Sequence, residues 1–279
     1  MNGDLPVQKR PPSTLPRIWW CPTGPLAFLP IHAAGVYQTD GHFETTSSFA
    51  VSSYIPTIST LSDKMKQKVQ PTSKHLLLVS QVDAPDLPRI PGADEETKRL
   101  LEFLEGTGNN SLRLSGPDAR ISKVMAEMTS YSSIHLACHG QQEVGSPLKS
   151  GFYLGDGPLE LSEIMKHLIP NADFAFLSAC QTSTGDEALS EEVVHLAAGM
   201  LAAGYRSVVS TMWSIDDAFG PEIAQGFYQQ LQTADGRCAR LDGARAAYAL
   251  HEATKTLRQK VGTTEKGLLI WAPYVHFGI

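Results

Sequence analysis

The chain has 279 residues, of which 42% are hydrophobic and 19% charged, and it carries a formal net charge of −6. That length and balance suit a globular protein with a sizeable core, built as one large α/β domain or two small ones. The acid excess and the absence of a basic run argue against a nucleic-acid surface, and no stretch approaches the roughly 20 apolar residues that span a bilayer.

Residues 1–16 contain Pro6, Pro11, Pro12 and Pro16 and few large apolar side chains. They read as a disordered lead-in without the apolar region of a signal peptide, and a cytoplasmic protein with no membrane partner is the expectation. Two short apolar runs, 17–21 and 26–30, flank Pro22-Thr23-Gly24-Pro25 and predict a β-hairpin. Residues 38–48 are polar and predict a loop, 49–56 lean to strand, and 58–69 read as a helix with Lys64, Lys66 and Lys68 on a solvated face. Together 17–70 form an N-terminal hairpin-and-helix portion, and 71–279 form the core that carries the chemistry.

From residue 75 a continuous apolar run, His75 to Ser80, precedes a proline-rich loop and a helix over 93–104. Asp94, Glu95 and Glu96 fall in its first turn, where the helix dipole favours acids. A short strand at 112–114, a helix from 118 to 129, a strand at 133–139 and a helix at 161–167 follow. Residues 172–179 predict a buried strand, 190–203 a helix closed by Gly204, 206–213 a strand, and 221–232 and 242–261 two further helices. Such alternation implies a mostly parallel sheet covered on both faces. No internal repeat is present.

Two of these strands end on reactive residue types. Ser133-Ile134-His135-Leu136-Ala137-Cys138-His139 is broken by Gly140, and Phe174 to Ala179 leads to Cys180 and a polar loop of small residues. In open parallel sheets sites lie beyond the carboxyl ends of the strands, and the interval between the two ends accommodates a loop and a crossover helix. An imidazole beside a thiol can take its proton and leave a thiolate nucleophile. The oxyanion formed on attack needs backbone donors, for which the amides of Gly140 and Cys180 are the candidates. Ser178 and Ala179 are small and leave room for a substrate chain. On the residues alone, a buried structural role for Cys180 stands beside the nucleophilic one.

The remaining chemistry is sparse. Cys21 and Cys138 read as structural, Cys138 pointing away from His139 by strand alternation, and Cys238 as a spectator in a polar loop. The four cysteines have no C-x-x-C spacing and form neither a disulfide framework nor a zinc site. His135 and His139 share a strand face, but no third metal ligand is clear. His251-Glu252-Ala253-Thr254-Lys255 opens like a zincin helix, yet Lys255 stands where the second histidine is required. No G-x-S-x-G, P-loop or G-x-G-x-x-G segment occurs, and Gly155-Asp156-Gly157-Pro158 reads as a β-turn. Neither a metal nor a cofactor is expected.

Several segments carry a family resemblance: Trp19-Trp20-Cys21-Pro22-Thr23-Gly24-Pro25-Leu26, Leu29-Pro30-Ile31-His32-Ala33-Ala34-Gly35, Val51 to Thr57, His135 to Gly140, Leu177 to Thr182, Ala197 to Gly204, Thr211 to Ile215 and Trp271 to Gly278. Over 17–279 the chain resembles CHAT domains, caspase-like modules related to separases and often found after TPR repeats, and its wording is similar to copies from filamentous fungi. The resemblance implies a caspase-like three-layer α/β/α sandwich and carries over His139 and Cys180 as a catalytic dyad. It places Thr211, Trp213 and Ser214 on the substrate-binding segment, with Asp216 and Asp217 either reading substrate charge or forming a solvated loop. The implied activity is a cysteine endopeptidase on a protein or peptide substrate, latent until a partner orders loops 141–151 and 181–190. That partner would be a TPR-containing regulator in cis or in trans. The alternative is a non-proteolytic signalling or scaffold module of the same fold. His32, Ala33 and Ala34 are assigned to packing.

Overall fold

A computed structural model describes residues 15–38, 43–68, 74–141, 143, 145–167, 169, 171–178, 180–181, 191–215, 218–234 and 239–279. The first strand, β1 (Arg17–Trp20), does not turn back on itself. Residues 24–28, part of the expected return strand, form a 3₁₀ turn, followed by a second at 31–33. Pro25 explains the first: its fixed φ suits the opening of a helical turn, and it has no N–H to give a strand ladder. The N-terminal hairpin lies further on, between β2 (Gly35–Tyr37) and β3 (Phe43–Thr45). The polar segment expected as loop therefore contains β3 and a one-turn helix, α1 (Thr46–Phe49), entered through a Thr45 amide that donates to Ser48 Oγ at 3.3 Å. β4 (Val51–Tyr54) pairs in parallel with β1, and α2 (Ile58–Lys66) starts where Thr57 accepts from the Thr60 amide.

The alternating region then unfolds as predicted in kind. β5 (Leu76–Ser80) is buried at every position, as its unbroken apolar run requires. It is followed by α3 (Pro91–Glu105), β6 (Ser111–Ser115), α4 (Ile121–Met128) and β7 (Ser133–Ala137). A side excursion comprises β8 (His139–Gln141), β9 (Gly151–Leu154) and β10 (Gly157–Glu160), with the expected turn at Gly155-Asp156. Then come α5 (Leu161–Lys166), β11 (Phe174–Leu177), β12 (Cys180–Gln181), α6 (Glu191–Ala202), β13 (Ser207–Thr211) and α7 (Gly220–Leu231). A small hairpin of β14 (Gln232–Ala234) and β15 (Ala239–Leu241) leads to α8 (Ala246–Val261), α9 (Glu265–Trp271) and β16 (Tyr274–Gly278).

The central sheet has eight strands in the order β1-β4-β16-β13-β11-β7-β5-β6, all neighbours parallel except β13 and β16. Strand alternation splits its side chains between two cores. Leu77, Val79, Ile134, Leu136, Ala175 and Val208 pack with Val124, Ile164 and Met200 of α4, α5 and α6. Leu76, Leu78, Phe174, Phe176 and Val209 pack with Leu100, Phe227, Tyr228 and Leu250 of α3, α7 and α8. Two helical layers thus enclose one sheet, an α/β/α sandwich. Among the described residues no helix is long and apolar enough to cross a membrane.

The last strand closes the sheet. β16 lies between β4 and β13, with five rungs to β13 from Ser207↔Gly278 to Thr211↔Tyr274. Its His276 is buried and joins both neighbours through a directional chain. Arg17 Nε donates to Ser53 Oγ at 2.9 Å, Ser53 Oγ lies 3.0 Å from His276 Nδ1, His276 Nε2 lies 2.6 Å from Ser207 Oγ, and Ser207 Oγ donates to the Ile279 carbonyl. The chain closes with a neutral imidazole that accepts at Nδ1 and donates at Nε2. Burial, reinforced by the Arg17 charge, holds His276 well below the ordinary histidine range. His32, between the Tyr54 hydroxyl and the Ala272 carbonyl, is held by burial down to about 4.

These two histidines bind protons more readily in the unfolded chain than in the folded one. Their contribution to stability is therefore intact above the unfolded value near 6.5 and is lost as pH falls through the lowered folded values, which for His32 is about 4. We expect the thermal midpoint to fall between pH 7 and pH 5, and to fall less steeply in His276→Asn. A midpoint with the same slope in both proteins would contradict this assignment.

Candidate active site

β7 and β11 are adjacent parallel strands, with Ile134 opposite Ala175 and Leu136 opposite Leu177. Neither continues straight to its reactive residue. β7 ends at Ala137, with a bend at Cys138, and β11 ends at Leu177, so the strands predicted as continuous over 133–139 and 172–179 are each interrupted. Both resume in a second, four-stranded sheet of order β10-β9-β8-β12. There β8 and β12 pair in parallel with Cys180 opposite His139 and Gln181 opposite Gly140. The backbones of His139 and Cys180 thus share one rung, at the spacing of about 4.8 Å that separates neighbouring strands. Gly140 is buried and also pairs with Phe152 of β9.

The interruption separates the two histidines that strict alternation would place on one face. His135 stays in the central sheet, stacked on Phe176 at 4.9 Å, with Nδ1 3.1 Å from the Tyr228 hydroxyl and Nε2 2.8 Å from Glu96 Oε1. His139 lies beyond the bend and is also fully buried. Among the described residues no group of three or more His, Cys, Asp or Glu side chains is placed to hold a metal ion. His251 approaches its neighbour Glu252 only at 4.0 Å.

His139 Nε2 lies 2.7 Å from the carbonyl oxygen of Pro88. A carbonyl can only accept, so Nε2 carries the hydrogen and Nδ1 holds the lone pair. Nδ1 is buried and has no hydrogen-bond partner among the described residues. An oriented imidazole whose basic nitrogen has no partner among the described residues can take a proton from a thiol brought beside it. Sequence reasoning misses Pro88, because a backbone carbonyl leaves no mark in residue type. The only signal is the proline-rich stretch itself, which restricts the loop. That loop is tied at its neck by the Ile90 amide donating to the Val82 carbonyl at 3.1 Å and by Gln81 Nε2 donating to the Asp83 carbonyl at 2.7 Å. Asp86 takes a left-handed φ of 60°, and Ile90 packs on Ala93 and Ala137.

The other sequence candidates fall on several elements. Thr211 ends β13, two residues beyond Val209, the rung partner of Phe176, and so stands near the segment leading to Cys180. It is buried, and its hydroxyl oxygen has no hydrogen-bond partner among the described residues. Trp213 is half-buried; its indole N–H donates to the Leu269 carbonyl at 3.2 Å. Its ring borders an apolar groove of about 1010 Å³ with Trp20, Leu26, Leu29 and Leu268. Ser214 is exposed. Asp216, Asp217, Cys238 and all of the 181–190 loop except Gln181 lie outside the described residues. Cys138 is buried as expected, whereas Cys21 is exposed, with its thiol 3.7 Å from the Pro56 carbonyl.

Removal of the His139 ring takes the donor from the carbonyl of Pro88, an exposed residue, so water replaces part of the lost bond. We expect His139→Ala to lose about 0.5–1.5 kcal/mol of unfolding free energy in urea titration from this bond. An unchanged midpoint would show that this bond contributes nothing to holding the loop.

The chain matches the family model for the CHAT domain over residues 3–279. No curated protein matches it. Among solved structures it is similar to separase in the Saccharomyces cerevisiae separase–securin complex, with a TM-score of 0.53 and 14% identity over 84% of this chain and 14% of that one. It is also similar to the Porphyromonas gingivalis RgpB pro- and mature domains, with a TM-score of 0.55 and 9% identity over 82% of this chain and 55% of that one. The Arg-specific cysteine proteinase gingipain R aligns with a TM-score of 0.51 and 10% identity over 82% of this chain and 54% of its own. The chain spans about a seventh of the separase and little more than half of the gingipains, and at these identities the likeness is one of fold. With this caspase-like sandwich and a family match over almost its whole length, the chain belongs to the CHAT domain family.

Proposed function

We propose that this domain is a cysteine endopeptidase in which His139 and Cys180 form the dyad. The observation that carries the reading is the Cys180↔His139 rung, together with an imidazole whose Nε2 is committed to the Pro88 carbonyl. In this reading Nδ1 takes the thiol proton, and the thiolate attacks the scissile carbonyl carbon of a peptide. The amides of Gly140 and Cys180 hold the oxyanion of the tetrahedral intermediate. Its collapse expels the amine, which takes the proton back from the imidazole. Water activated by the same nitrogen then releases the acyl-enzyme. Thr211, Trp213 and Ser214 line the substrate strand, and Asp216 reads charge beside it.

A fungal-type, cytoplasmic protein of this kind would stay latent until a protein partner acts on it, and a TPR-containing regulator in cis or in trans fits that role. The likeness to a separase solved together with securin supports partner control. The rival reading is a signalling or scaffold module that keeps the fold and cuts nothing.

Labelling with a peptidyl acyloxymethyl ketone separates the two. We expect the wild-type chain to take the label, Cys180→Ala to take none, and His139→Ala to react at least about 10²-fold more slowly. Equal labelling of wild type and Cys180→Ala would overturn the nucleophile assignment.

A further inference from the structure

Glu96 is a carboxylate buried to 2% exposure, held in the second turn of α3. Such a group is costly to remove from water unless it is paired and hydrogen-bonded. Its Oε2 accepts the Ser178 hydroxyl at 3.0 Å. Its Oε1 lies 2.8 Å from His135 Nε2, close enough for an ion pair though not aligned as a hydrogen bond. His135 is itself fixed by the Tyr228 hydroxyl and by stacking on Phe176. The carboxylate also lies against Gly220, the first residue of α7, so closely that a Cβ there would stand 2.7 Å from Oε2. Glu96 is therefore clamped on several sides, and one clamp is the chain segment that leads to Cys180.

The position of Ser178 gives this contact its meaning. β11 ends at Leu177 and β12 begins at Cys180, so Ser178 is the first residue of the departure from the central sheet. Its side chain has no chemistry in the proposed reaction, yet it makes a buried hydrogen bond to a carboxylate, the stronger class of such bonds. The same helix reaches the other half of the dyad. Pro88, whose carbonyl holds His139, lies in the loop that runs directly into α3. One element and its lead-in thus touch the imidazole on one side and the approach to the cysteine on the other.

We propose that Glu96 and Ser178 are positioning residues for the nucleophile: the Glu96–Ser178 hydrogen bond sets where β12 leaves the central sheet, and so holds Cys180 at the level of His139. The inference rests on the proposed dyad. A displacement of about 1 Å at a reacting centre costs on the order of 10²-fold in rate, so the tether acts through rate and not through substrate affinity.

The test measures labelling of the full chain by the peptidyl acyloxymethyl ketone, as a maximal rate and a half-saturating concentration, over a range of pH. Ser178→Ala should lower the maximal rate by about 10–100-fold, with half-saturation within about twofold of wild type. Glu96→Met, which fills similar space without an acceptor, should slow labelling to the same degree. Glu96→Gln, which keeps an acceptor for the Ser178 hydroxyl, should recover most of that loss. The Glu96→Met/Ser178→Ala double variant should be no slower than the slower single variant, because both remove one bond. Should Ser178→Ala fail to fold, the Glu96→Met and Glu96→Gln pair decides the matter alone. A wild type that labels, with Ser178→Ala or Glu96→Met labelling at the wild-type rate, overturns the tether and leaves the dyad standing. A wild type that does not label at Cys180 removes both.

Discussion

Everything distinctive about this site depends on two adjacent parallel strands leaving the central sheet at the same level. β7 and β11 are rung partners up to Leu136 and Leu177, and each chain then leaves the central sheet and pairs again with the other as β8 and β12. A strand end alone would present His139 and Cys180 on loops, where backbone position is loosely held. The second ladder instead keeps them in register, and β9 supports it from the far side through Gly140↔Phe152. Sites mounted on paired strands hold reacting groups more closely than sites mounted on loops do.

The second ladder is short, so its placement needs other anchors. α3 and the loop before it supply them by two different chemistries. The loop contributes a carbonyl that fixes one ring nitrogen of His139. The helix contributes a buried carboxylate that meets both Ser178 and His135. Polar groups in these surroundings are expensive unless matched. Glu96 meets that need with Ser178 and His135 beside the start of β12, and His276 meets it elsewhere in the core.

The far side of the sheet follows the same economy of buried polar contacts. β16 enters between strands that lie far apart in the chain, and His276 links Ser53 and Ser207 across it in a single sense of donation. This chain works only with a neutral imidazole, which makes acid the natural way to loosen that half of the molecule. The Thr211↔Tyr274 rung joins this half to the end of β13 and hence to the segment proposed to bind substrate.

Much of the fold was legible in residue patterns, because the signals involved are local. The buried runs at 76–80 and 174–177, the amphipathic helices and Gly204 announce an alternating α/β architecture without any tertiary contact. The two reactive residue types at strand ends were legible for the same reason. The N-terminal strand pairing was not, since Arg17–Trp20 finds its partner at Val51–Tyr54 and the intervening prolines turn the adjacent run into a 3₁₀ turn. Nor was β16, whose place between β4 and β13 is a matter of long-range pairing that no window of sequence contains. By itself the sequence determined which residue types could do thiol chemistry and that strands would carry them. Only the tertiary structure decided that the two strands pair again in a second sheet, that a Pro88 carbonyl orients the imidazole and that Glu96 lies beside Ser178, because backbone acceptors and contacts between distant elements have no residue-level signature.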